Sequence, residues 1–302
     1  FMWNFIKSYY IFFVLLMIVG VAIVYTGWSY HDNEVFIEEL ETSLKERCLK
    51  DMTVSEYCED YVSRDPSQKV DTFSTTSDLI TNMSWLHILS VFVIVLPVAI
   101  VSHRKLKKGY VKNILTRQNY SKFQKKLYLS VSKYATGFVI IGIMIFIVSF
   151  ILSGHFDVAL TKANVSESSL IAALPWIKAN TNPWFEIGIW FVSLYLVGLL
   201  ISTLTLLVSK KSTNVLVTVL ATYFYFFILE VVISVGISSF LLSNVFHMTS
   251  ISSSLSLFSV WNFGTNQSII SLIWLILLNV AAIMIYYFVY RDKEKLVISS
   301  ER

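Results

Sequence analysis

Glu230 stands in FFILEVVIS, a run that is otherwise apolar on both sides. A carboxylate at the centre of a bilayer costs about 2.5–3.5 kcal/mol on insertion scales, so its presence there demands a compensating interaction or a proton. No Lys or Arg lies deep in another apolar run to pair with it. Three roles fit the residue. It is a neutral acid hydrogen-bonded between helices, a group lining a polar translocation path, or a contact across a dimer interface.

The remaining chemistry-bearing residues are sparse. Cys48 and Cys58 lie in RCLKDMTVSEYCED, an acidic stretch. A disulfide between them is one expectation and two free thiols the other. Two cysteines with no His nearby lack a metal ligand set, so no metal site is expected. His31, His87, His103, His155 and His247 are scattered and form no His-x-x-x-His pair, and each reads as exposed or interfacial. No Ser-His-Asp or Cys-His grouping emerges, so no catalytic residue is assigned. The chain also lacks the G-x-x-x-x-G-K-[ST] loop that cradles nucleotide phosphates, and is not expected to hydrolyse ATP itself.

The elements that must hold Glu230 follow from hydropathy. The chain has 302 residues, is 55% hydrophobic and only 15% charged, and its mean hydropathy is +0.65. Soluble domains carry about 25% charged residues. Six runs approach the roughly 20 apolar residues needed to cross about 30 Å of hydrocarbon. They are 9–25, 86–101, 134–153, 185–208, 213–240 and 269–290. Each is expected to be helical, because lipid offers backbone groups no partner. The reading is an all-α polytopic membrane protein with six transmembrane helices. The first run is too long for a signal sequence and is read as a retained span. Pro97 is expected to kink the second span or mark its end. The fifth is long enough to tilt or break.

Charge orients the spans. Residues 102–133 hold ten Lys or Arg and no Asp or Glu, whereas 28–84 hold thirteen Asp or Glu against five Lys or Arg. Lys and Arg mark the cytoplasmic side, which places both termini, the basic segment and the Lys210-Lys211 turn in the cytoplasm. The chain divides into a first transmembrane helix (1–27), an extracytoplasmic acidic insertion (28–84), and helices 2–6 (85–302). Residues 243–267 contain no charged side chain and read as a re-entrant outer segment, with Leu255, Leu257, Phe258 and Trp261 facing lipid or a pathway. An interfacial loop with anchoring aromatics is the alternative for that segment.

Within the basic segment, Leu106, Tyr110 and Ile114 recur at steps of four, with Val111 and Leu115 beside them. Phe123, Leu127 and Val131 form a second row. Such spacing predicts two amphipathic helices bounded near Gly109 and Asn119. A basic segment beside spans favours anionic lipid or a protein partner over nucleic acid.

The run GYVKNILTRQNYSKFQKKL resembles the cytoplasmic segment between spans two and three of ABC-2 type permeases. The features that carry the likeness are Gly109, Tyr110, Lys112-Asn113, Ile114-Leu115, Ser121-Lys122-Phe123 and Lys125-Lys126. Six spans, a short Lys-Lys turn between spans four and five, and an uncharged loop before the last span match that family's layout. The outer insertion is larger than in its minimal members. The resemblance implies the permease half of an exporter, working as a homo- or heterodimer in the cell membrane with a separate ABC ATP-binding subunit that binds ATP and Mg. Gly109, Tyr110, Ile114, Leu115, Ser121 and Phe123 would then couple this chain to that subunit. Its cargo would be an amphipathic or hydrophobic peptide, lipid or drug. Other classes are an ion-coupled secondary transporter using Glu230, an intramembrane enzyme, and a non-transporting sensor or scaffold.

Overall fold

The computed structural model describes residues 9–32, 72–83, 85–106, 111, 119–154, 183–212, 214–245, 255–261 and 269–291. Among these residues every regular element is helical. Six helices are long and apolar enough to cross a membrane: Tyr9–Asp32, Leu86–Leu106, Tyr120–Ser153, Ile187–Lys211, Val215–Phe240 and Ser271–Val289. The chain has the make-up of a multi-pass membrane protein.

We number the helices α1 (Tyr9–Asp32), α2 (Thr72–Asn82), α3 (Leu86–Leu106), α4 (Tyr120–Ser132), α5 (Thr136–Ser153), α6 (Pro183–Lys211), α7 (Val215–Val231) and α8 (Ile269–Val289). Ends of α3, α6 and α8 and the start of α4 gather at one end of the bundle, here the basic end. The surface is apolar where a soluble protein's would be polar. Phe13, Met17, Phe224, Phe240 and Phe288 are all exposed, as helices bathed in lipid require.

α6 is the axis of the bundle and touches α3, α4, α5, α7 and α8. Its hydroxyls do not carry polarity into the apolar surroundings. Ser202, Thr203, Thr205 and Ser209 each donate to the carbonyl one turn back at 2.7–2.9 Å, which satisfies them inside their own helix.

Several boundaries differ from the hydropathy reading. The second span does not end at Pro97. α3 runs through it to Leu106, at the cost of the hydrogen bond that a residue-97 amide would have given Val93. The third span does not start at residue 134. α4 leads through a 3-10 turn, Lys133–Ala135, into α5, giving a helical run of 34 residues. At about 1.5 Å per residue that is roughly 51 Å, well beyond the hydrocarbon thickness. Contacts along α6 step in order. Tyr128 meets Thr203, Ala135 meets Gly198, and Gly142 meets Leu194, so α4 and α5 lie along one neighbour as successive parts of a single rod. At the turn, a Cβ on residue 198 would stand 2.6 Å from the Ala135 carbonyl oxygen. Glycine there permits a backbone-to-backbone approach that small residues provide between membrane helices.

α2 was not foreseen. It packs on α5 at the end opposite the basic one, where Thr72 and Ser153 hydroxyls bond at 2.7 Å, and Leu79, Ile80 and Met83 are buried. The fifth span changes winding rather than breaking. α7 passes at Val232 into a π-helical stretch, Val232–Val245.

Candidate functional site

Glu230 is buried one residue before the end of α7. Its partners come from a hook, residues 255–261, which lies in sequence between the π-helical stretch and α8 and packs into the bundle. Ser256 Oγ donates to one carboxylate oxygen at 2.5 Å, and the Leu257 amide donates to the other at 2.8 Å. Ser256 Oγ also accepts from the Phe258 amide at 3.3 Å, so one hydroxyl fixes both the hook's first turn and its attachment to α7. The carboxylate thus accepts from two donors of this segment inside the bundle, where an unpaired polar group is costly.

The hook reaches deep. The indole of Trp261 lies 5.1 Å from the Phe138 ring, and Phe138 is fifteen residues before the end of α5 at Ser153, or about 22 Å down that helix. Trp190 of α6 donates its Nε1–H to the Val260 carbonyl at 2.9 Å. Phe258 packs against Phe226 and Phe227 of α7 and the imidazole of His87 of α3. Leu255, Leu257, Val260 and Trp261 are all buried, and Phe258 is half-buried. Of the two settings expected for Leu255, Leu257, Phe258 and Trp261, lipid or a pathway, burial excludes lipid for Leu255, Leu257 and Trp261. They fill the interior, because irregular backbone in a membrane persists only where protein covers it. Residues 258–261 form a short 3-10 helix.

The basic segment is placed in part. Gly109, Tyr110, Ile114 and Leu115 lie outside the described residues, as do Cys48 and Cys58. Asn119 caps α4, its side chain accepting from the Ser121 amide at 3.4 Å. Ser121 is exposed, but Phe123 is buried together with Leu127 and Val131. The second apolar row is spent on this chain's own bundle, so Phe123 is not a surface residue available to a partner. What α4 and the first residue of the turn after it present outward is Lys122, Lys125, Lys126 and Lys133 around Leu129, which is 61% exposed. The Lys-Lys turn is asymmetric. Lys211 is exposed, while Lys210 donates to the Val289 carbonyl.

His103, which the sequence places as exposed or interfacial, is buried in the bundle. Its Nε2 lies 3.1 Å from Ser212 Oγ and 2.5 Å from Thr218 Oγ1, a junction of α3 with the turn between α6 and α7. Nothing in the local pattern signals it, since the two hydroxyls lie over a hundred residues downstream. Among the described residues, a buried polar atom of each of His87, Ser90 and Tyr223 finds no hydrogen-bond partner. Among the described residues, no three His, Cys, Asp or Glu side chains gather where a metal could bind.

No family model matches the chain, nor does any characterised protein or solved structure.

Proposed function

We propose that this chain is a permease subunit of an ATP-driven exporter of the ABC-2 type, working as a dimer with a separate ATP-binding subunit that supplies ATP and Mg. Its acidic insertion lies outside the cell and its basic end in the cytoplasm. The observation that carries the reading is the hook held inside the bundle by Glu230. An ionisable side chain and non-helical backbone far inside a bundle of spans are both costly, and both mark transport pathways. On this reading the hook closes the outer end of the path and Glu230 latches it. The basic rod of α4 stands at the other end, where an energy-supplying subunit would grip it, and the likeness of 109–126 to the ABC-2 segment names that subunit's class. A hydrophobic or amphipathic cargo suits the aromatic surroundings of the hook.

The test is affinity purification from the native membrane followed by reconstitution. Co-purification of an ATP-binding subunit, with ATP-dependent export from proteoliposomes, is the expected result. Transport driven by a proton gradient without ATP would replace this reading with a secondary transporter in which Glu230 carries the proton.

A further inference from the structure

The end of α8 is finished by residues far away in sequence. A helix leaves its last carbonyls without intrahelical donors and concentrates partial negative charge there. Tyr290 and Arg291 follow Val289, so no glycine supplies a left-handed cap. Instead, Lys210 Nζ donates to the Val289 carbonyl, and Tyr120 OH and Gln124 Nε2 both donate to the Tyr290 carbonyl. Two bonds return. Tyr286 OH donates to the Gln124 carbonyl at 3.1 Å, and Tyr290 OH to the Leu206 carbonyl at 2.8 Å. The Tyr286 and Tyr290 rings lie 4.7 Å apart, and the Lys210 ammonium sits 5.1 Å over Tyr290.

The direction of these bonds matters. α4 donates to the backbone at the end of α8, and α8 donates to the backbone of α4, so neither can slide past the other without breaking both sets. The donors and acceptors are largely buried, with Gln124, Tyr286 and Tyr290 closed off from solvent. On the other side of α4, Lys122, Lys125 and Leu129 are open to a partner.

We infer that α4 carries the last span with it: Tyr120 and Gln124 are positioning residues that pass a displacement of the basic segment to the end of α8. This rests on the permease reading for the source of the displacement, but the linkage itself belongs to the chain alone. The motion would enter on the exposed basic face and leave through α8, while α5 takes up its share across the Lys133–Ala135 turn.

The experiment uses the full chain in lipid nanodiscs and a double variant, Tyr120→Phe with Gln124→Met, which keeps side-chain volume and removes both donors. Lys122→Ala on the exposed face is the control. Hydrogen exchange is followed over 286–291 and over 271–282. The expected result is exchange about tenfold faster at 286–291, the order expected for a lost end-capping hydrogen bond, with 271–282 and the control unchanged. In proteoliposomes with the ATP-binding partner, the double variant should hydrolyse ATP at the normal rate and consume severalfold more ATP per substrate exported. Unchanged exchange at 286–291 overturns the linkage. Faster exchange with normal ATP cost overturns the transmission role. Absence of ATP-dependent export by the unaltered protein overturns the permease reading instead, and the exchange result then still decides the linkage.

Discussion

Replacing Glu230 separates what its shape does from what its hydrogen bonding does. In Glu230→Leu, the Leu257 amide loses its carboxylate acceptor in a buried setting, which costs about 1–3 kcal/mol, and the Ser256 hydroxyl loses an acceptor worth about 1 kcal/mol. Removing a carboxylate from the membrane offsets part of that sum if the group is charged. Glu230→Gln keeps most of the network. Its carbonyl accepts from Leu257, its amide donates to Ser256 Oγ, and the loss stays near 1 kcal/mol or below. The Leu variant should therefore fall below the Gln variant by roughly 2 kcal/mol, on the order of 5 °C in unfolding midpoint. Tryptophan emission during heating is a suitable probe, because Trp261 belongs to the hook and Trp190 is bonded to it. A second readout is maleimide labelling of Leu255→Cys, a position buried in the hook, located by mass spectrometry. Labelling should be slow with Glu or Gln at 230 and fast with Leu. Coincident melting curves and equal labelling for both variants would show that Glu230 does not hold the hook.

Two pairs of substitutions read the bundle directly. Gly198→Ala places a methyl 2.6 Å from the Ala135 carbonyl oxygen, and backbone cannot yield as a side chain does. Overpacking of about 1–3 kcal/mol is expected, whereas Gly142→Ala, which meets side-chain atoms of Leu194, Trp190 and Phe191 and no backbone, should cost less; detergent-solubilised melting curves compare the pair. Phe123→Asp buries a carboxylate against the bundle and should collapse the folded yield, while Leu129→Asp on the exposed face should stay within about 0.5 kcal/mol of the parent. Chromatographic monodispersity measures both, and a well-folded Phe123→Asp protein would show that α4 is not seated as described.

The six spans were legible because apolar runs are local, and a window of sequence contains all the information that sets them. The seat of α4 was half legible. Steps of four in Phe123, Leu127 and Val131 gave the buried face, and Asn119 gave the start, but periodicity says nothing about whether a partner or the chain's own bundle covers that face. Glu230 stood out as a lone charge, yet its partners, a serine hydroxyl and a backbone amide, leave no mark in composition. The same holds for His103 with Ser212 and Thr218, and for Tyr120 and Gln124 capping Tyr290. α2 escaped notice because TFSTTSDLITN reads as a polar linker, and only its packing on α5 supplies the apolar contacts that make it a helix. The continuity of α4 with α5 was hidden by lysines, which end a hydropathy window without ending a helix.

The π-wound stretch that follows α7 bears on how the half of the bundle away from the basic end could rearrange. A coil of this kind is shorter and wider than its α-helical counterpart and is seldom sustained. Retightening Val232–Val245 would lengthen it and turn the side chains past Val231, buried Ser238 and exposed Phe240 among them, to new bearings. Glu230 sits on the far side of that boundary. The anchor can stay fixed while the cable leading to the hook is let out.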